Sequence, residues 1–324
     1  MRAVLATSLG GPDSLELAEV PDPRPAPGEV VARVLAAGVN HADLLMTRGL
    51  YQVRPELPFT PGLEFAGVVI AVGEGVSGLN PGDRVIGAPP HGCFAELVCA
   101  RASRVFPWPQ AMPLELAAGL LIGHGTAAFA LGRADLQAGE TLLVTGAGGG
   151  VSLAAIEIGV RKGARVIAAA SSAAKLALAT AHGAAWTVNL GERPLREAVR
   201  EITSGRGADV VLETVGGEVF DAALRATARW ARVLAVGFAS GGLPRIPAEY
   251  LLIKNLTVSG VGFGAMLEET PSRVQAVIDE LAALHARQPF AACAGGRFSL
   301  AEAPDALRRL ADRTAAGKLL VVPG

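Results

Sequence analysis

Apolar and polar positions alternate in short runs over the first third of the chain. Residues 30–35 and 66–72 carry β-branched and apolar side chains at strand spacing. Pro81-Gly82-Asp83 marks a turn before a further apolar run at 84–86. Many short strands divided by Gly and Pro turns predict a compact β-rich domain over residues 1–120. From 121 to 264 the pattern changes. Buried-strand runs at 141–145, 164–170, 209–213 and 232–236 alternate with helix-like stretches. Such alternation predicts a parallel sheet covered by helices. Residues 271–287 then show the spacing of an amphipathic helix, and 317–322 read as a final strand.

The run at 141–145 leads into Gly146-Ala147-Gly148-Gly149-Gly150-Val151-Ser152, and a helix-like apolar segment follows at 153–160. Strand, glycine turn and helix start, in that order, make a phosphate cradle. The glycines let the backbone approach a pyrophosphate, and the helix start offers free N–H groups and a positive dipole end. This predicts a bound dinucleotide. The next strand, 164–170, falls where the adenosine ribose should lie. An NAD site places an acid at the end of that strand, but this strand ends in Ala170-Ser171-Ser172-Ala173-Ala174-Lys175. Hydroxyls and an ammonium suit a 2′-phosphate, so the expected cofactor is NADPH. Ser171 and Ser172 are equally readable as caps of the following helix, and Lys175 as a solvated lysine.

Composition narrows the classes. The chain has 324 residues, enough for two domains, and 51% of them are hydrophobic, enough for a sizeable core. The formal net charge is −1 and no basic run occurs, which argues against nucleic acid as a partner. The N-terminus lacks the long apolar region of a signal peptide, and no apolar stretch reaches membrane-spanning length. The expectation is a soluble cytoplasmic protein with no membrane partner. Cys93, Cys99 and Cys293 form no CxxC pair and no disulfide framework. The five histidines, His41, His91, His124, His182 and His285, are scattered. His41 reads as a solvent-facing or loop residue and His124 as structural.

Several further motifs stand in register. They are the segments 37–43, 48–51, 61–67, 81–85, 92–96, 207–211 and 236–241, together with the glycine turn. In that order they resemble the medium-chain dehydrogenase/reductase superfamily, most closely its zinc-free quinone oxidoreductase branch, which includes zeta-crystallin. The resemblance spans nearly the whole chain. It implies an α/β protein: a doubly wound Rossmann domain at 121–264, and a GroES-like catalytic domain at 1–120 to which 265–324 return. The expected cofactor-binding set is Thr126, Gly148, Gly149, Gly150, Val151, Ser171, Lys175, Gly237 and Phe238.

Zinc alcohol dehydrogenases of the superfamily carry a metal-binding Cys where this chain has Asn40, and a His where it has Leu63. Leu63 supplies no ligand, and no metal is expected. Three other positions depart from the branch. Ser152 replaces the last glycine of the turn, and its hydroxyl is expected to bond back to the helix backbone. Leu190 follows Asn189 where the branch often has Tyr, leaving phosphate recognition to Lys175, Ser171 or Arg193. Trp230-Ala231 stands where a Gly-Gly pair is common.

The resemblance places Asn40 and Tyr51 in the acceptor pocket, where an amide and a phenol would donate to a developing oxyanion. Asp43 reads as a local hydrogen-bonding residue. The expected reaction is NADPH-dependent, metal-free reduction of a quinone or related α,β-unsaturated carbonyl. Enoyl thioesters and 2-alkenals would use the same parts. A crystallin-like or RNA-binding protein with little turnover is the alternative of another class. A homodimer is expected by analogy of fold, through an edge strand near 256–261.

Overall fold

The computed structural model describes residues 1–291 and 295–324. Cys293 lies outside the described residues, and Cys93 and Cys99 are free thiols. The chain divides into two compact units, Met1–Ile122 with Gly264–Gly324, and Gly123–Phe263.

The first unit opens with β1 (Arg2–Ala6) and β2 (Leu15–Glu19), an antiparallel pair. There follow β3 (Glu29–Val39), α1 (His41–Thr47), β4 (Phe65–Val72), β5 (Arg84–Gly87), β6 (Leu97–Arg101), β7 (Val105–Pro107) and α2 (Leu114–Ala117). The second unit contains α3 (Thr126–Arg133), β8 (Thr141–Thr145), α4 (Gly150–Arg161), β9 (Arg165–Ala170), α5 (Ala173–Ala181) and β10 (Trp186–Asn189). It continues with α6 (Leu195–Ile202), β11 (Ala208–Glu213), α7 (Gly217–Arg225), β12 (Thr227–Ala235), α8 (Ala248–Lys254) and β13 (Thr257–Gly260). After α9 (Phe263–Glu269) come α10 (Pro271–Arg287), β14 (Gly296–Phe298), α11 (Ala303–Ala311) and β15 (Leu319–Val321).

In the first unit the sheet runs β14-β15-β3-β4-β5-β7, with β6 also paired to β3. The long strand β3 organises it. β15 pairs antiparallel with β3, setting Leu319 opposite Val39 and Leu320 opposite Gly38. On its other side β3 meets β4, with Ala37 opposite Phe65. These registers bring three separate chain positions, 40, 64 and 318, to one end of β3. The core behind them contains Val34, Phe65, Phe94, Leu307 and Val321. Leu63 lies in a smaller apolar cluster with Ala6, Met46 and Phe59, against which Tyr51 packs.

The second unit holds six parallel strands in the order β10-β9-β8-β11-β12-β13. Counted from β8, this is the doubly wound order with its reversal between β8 and β11. β8 is buried along its whole length, as a central parallel strand covered on both faces should be. Phe220, Leu143 and Val211 lie in the core between strands and helices. α4 packs closely on β8 at Gly159, where a β-carbon would come 2.7 Å from Leu142 Cδ2. Among the described residues no helix is long and apolar enough to cross a membrane.

The Trp230 position has a physical account. The β11–β12 register shifts between Ala208 and Val210, and Trp230 has φ of 64° with 72% of its surface exposed. That left-handed backbone suits glycine, which explains why a Gly pair fits there better than Trp230-Ala231.

Candidate active site

In the second unit β8 ends at Thr145 and the chain turns through Gly146, whose φ is +59°. The N–H groups of Gly148 and Gly149 both donate to the Gly146 carbonyl, at 2.7 and 3.0 Å. Gly149 is the N-cap of α4 and offers no side-chain cap. The N–H groups of Gly150, Val151 and Ser152 therefore start the helix without an intrahelical acceptor. A pyrophosphate fits such an end: the backbone is bare and the dipole is positive. Gly148 keeps the approach narrow, because a β-carbon there would meet Lys175 Cγ at 2.5 Å.

Ser152 does not bond back to its own helix. Its hydroxyl donates to the Thr145 carbonyl at 2.9 Å and lies 3.3 Å from Thr214 Oγ1. The residue that replaces glycine thus ties the start of α4 to the ends of β8 and β11. Behind it sits Glu213, fully buried. Its carboxylate accepts from Thr145 Oγ1, Val215 N–H and Gly216 N–H, each at 2.9 Å. Burial raises the Glu213 pKa, while these three donors oppose the rise. The loop holding Gly237 and Phe238 is pinned to the same place, since Ala239 N–H donates to Thr214 O and Ser240 N–H to Val215 O.

At the end of β9 the chain has Ser171 and Ser172, and no acid. Ser172 is the N-cap of α5 but makes no side-chain cap bond, so the capping role expected of it is not filled. Lys175 is partly buried rather than a freely solvated lysine. Arg193 pairs with Glu201 at 2.6 Å. Thr126, buried, begins α3. Near it His124 is buried beside Glu157 of α4, at 3.6 Å, and His182 approaches the same carboxylate at 3.5 Å. The structure gathers the glycine turn with Lys175, and gathers residues 214–216 with the 237–241 loop.

In the first unit Asn40 is the N-cap of α1 and Asp43 closes a capping box, its Oδ2 accepting from Asn40 N–H at 2.7 Å. Burial pushes Asp43 up to about 7, while that N–H and the charge of Lys318 act the other way. Its second oxygen is buried with no hydrogen-bond partner among the described residues. His41 is the first residue of α1, partly buried, rather than a loop residue. Tyr51 is half-buried, and burial together with the Asp43 charge raises its pKa. The phenol therefore stays protonated around neutral pH, a donor.

Asn40 and Tyr51 are not hydrogen-bonded to each other. The Asn40 amide is held by two residues that sequence reasoning left without a role. Its Nδ2 donates to Glu64 Oε1 at 3.0 Å and to Gly38 O at 3.2 Å, and its Oδ1 accepts from Lys318 Nζ at 2.6 Å. Lys318 also bonds Glu64, whose other oxygen accepts from Ile122 N–H at 2.9 Å. Their signal in the sequence was a charge bordering an apolar strand: Glu64 before β4, and Lys318 before β15. Such residues are buried only with a partner. Among the described residues no group of three or more His, Cys, Asp or Glu is placed to hold a metal ion.

Comparison with known proteins agrees with this architecture. Residues 26–110 match the family model for the alcohol dehydrogenase GroES-like domain, and residues 150–283 that for zinc-binding dehydrogenases. Quinone oxidoreductase-like protein 2 of Bos taurus is 38% identical over 99% of this chain and 92% of its own length. A probable oxidoreductase from Mycobacterium abscessus superposes with a TM-score of 0.91 at 37% identity, over 100% of this chain and 99% of that one. The Escherichia coli quinone oxidoreductase, solved in complex with NADPH, superposes with a TM-score of 0.92 at 28% identity, covering 100% of both chains. The chain belongs to the medium-chain dehydrogenase/reductase superfamily, in its zinc-free quinone oxidoreductase branch.

Proposed function

We propose that this protein is an NADPH-dependent reductase of a quinone or related α,β-unsaturated carbonyl, acting without metal or flavin. The observation that carries the reading is the uncapped glycine cradle with Lys175 laid across it, beside a strand end that lacks an acid. When bound, NADPH supplies the hydride and so the difficult chemistry. The chain's own residues bind, orient and stabilise. The start of α4, with Gly148, Gly149, Gly150 and Val151, receives the pyrophosphate. Lys175 and Ser171 receive the 2′-phosphate, where a carboxylate would repel it. Thr126, Gly237 and Phe238 complete the proposed cofactor contacts.

On the acceptor side Tyr51 donates its phenolic hydrogen to the oxygen on which charge develops. Asn40 contributes an Nδ2 hydrogen by releasing Gly38, the longer of its two bonds. Leu63, packed in an apolar cluster, gives a metal nothing to bind. A quinone or enone is electron-poor and needs less polarisation than a plain ketone. The names of the relatives support a quinone acceptor. We place the protein in the cytoplasm, as a homodimer with a small-molecule substrate and no nucleic-acid partner. NADPH oxidation followed with a panel of quinones, enones, 2-alkenals and enoyl thioesters tests the reaction. Turnover with small quinones or enones, and little reverse reaction with simple alcohols, is expected. Simple alcohols as the fastest substrates, or no turnover across the panel, would overturn it.

A further inference from the structure

Lys318 occupies a slot prepared for it. A β-carbon at Gly38 would stand 2.8 Å from Lys318 Cε, and one at Gly119 would stand 3.0 Å from the same atom. Gly38 does not have a positive φ, so it is space, not backbone conformation, that calls for glycine there. The β15–β3 register delivers Lys318 to the end of β3 beside Asn40. Only 7% of the lysine side chain is exposed, and 1% of Glu64.

The donors at this cluster can be counted. The Glu64 carboxylate only accepts. Both Asn40 amide hydrogens are engaged, on Glu64 and on Gly38. An ammonium carries three N–H donors. Two go to Asn40 Oδ1 and Glu64 Oε1, and no described residue accepts the third. An ammonium with an unspent donor, held by a carboxylate and an amide in a water-poor place, is an electrostatic device suited to an oxyanion.

We propose that Lys318 is the principal donor to the acceptor's oxygen, ahead of Tyr51 and the Asn40 amide nitrogen, with the Glu64 carboxylate and the Asn40 carbonyl oxygen aiming it. The ligand class is an oxyanion on a conjugated ring or chain: the phenolate oxygen of the hydroquinone monoanion that hydride transfer leaves, or an enolate. This rests on the reductase reading for its substrate class, and on the first unit's own geometry for the residue. Lys318 acts here by hydrogen bond and charge.

The test separates the two. One arm measures the pKa of 4-nitrophenol bound to NADP⁺-loaded protein, by its phenolate absorbance, which needs no turnover. A donor ammonium should lower that pKa by about one unit or more on binding. The other arm measures kcat with 1,4-benzoquinone in Lys318→Met and in the double variant Glu64→Gln with Lys318→Met. The double variant removes both buried charges, so it isolates the lysine from the cost of stranding Glu64. Both variants are expected to lose about 100-fold in kcat while NADPH affinity holds. The nitrophenol shift should vanish in both. A double variant within threefold of the parent, on the order of the spread between independent variants, would show that Lys318 only balances Glu64, and would overturn the inference. An unshifted nitrophenol pKa in the parent protein would overturn it whether or not the variants fold. A Lys318-dependent shift without quinone turnover would sustain Lys318 as an oxyanion donor and sink the reductase reading instead.

Discussion

The side chain of Lys175 lies across Gly148, so close that a β-carbon on the glycine would stand 2.5 Å from Lys175 Cγ. The lysine is thereby held near the phosphate cradle. Lys175→Ala should weaken NADPH by about tenfold and leave NADH almost unchanged, because a charge-assisted phosphate contact is lost from one cofactor only. Fluorescence titration with both cofactors checks it. NADH binding as tightly as NADPH in the parent protein would refute the preference.

Tyr51 packs on the Met46, Phe59 and Leu63 cluster, and its hydroxyl has no partner among the described residues. Tyr51→Phe should therefore keep the packing and remove one donor. We expect kcat with quinones to fall about tenfold, with NADPH affinity and thermal midpoint nearly intact. A change in cofactor affinity as large as the change in kcat would place Tyr51 elsewhere.

Asp43 gives the fold a pH dependence with a definite sign. Burial raises it from 3.8 to about 7. The folded state thus holds this proton more tightly than the unfolded chain. Stability from the group is full below about 3.8 and drains away as pH rises to about 7. Asp43→Asn keeps an acceptor for the Asn40 N–H and cannot ionise. Its stability relative to the parent should grow between pH 5 and pH 8, as read by urea denaturation at each pH. A gap that stays constant would contradict the assignment.

The sequence carried the sheet order's ingredients well, and the site less well. The parallel strands could be read because β8, β9 and β11 each carry an apolar run at their centre, a pattern that burial on both faces requires. The role of Ser152 was misjudged because its partner, the Thr145 carbonyl, lies across a turn whose path periodicity does not describe. Close helix–strand packing came from Gly159, two turns along α4, rather than from the end of the glycine turn. Lys318 and Asn40 are 278 residues apart, and only the register of β15 on β3 joins them.

Trp230 offers a stability test. A bulky residue in the left-handed region costs roughly 1–3 kcal/mol, and this side chain is mostly in solvent. Trp230→Gly should raise stability by about 1 kcal/mol, after the greater freedom of glycine in the unfolded chain is set against the gain. Denaturation of dilute protein measures it. A loss of stability would mean that the indole is held by contacts not seen in a single chain.

β13 is an edge strand of the parallel sheet, with one side unpaired by the described residues. Leu252 and Ile253, in the helix just before it, are exposed. An edge of this kind is protected or paired, and a two-fold copy pairs it. Light scattering should give twice the 33.0 kDa chain mass. A monomer at every concentration tried would end the proposal.

The crossing of β15 onto β3 also sets an order of events during synthesis. Asn40 and Glu64 emerge from the ribosome long before Lys318, and the cradle in the second unit is complete while Lys318 is still unmade. Until then Glu64 has no ammonium beside it and Gly38 lacks its neighbour Leu320. A nascent chain should therefore be able to hold its dinucleotide before it can act on anything.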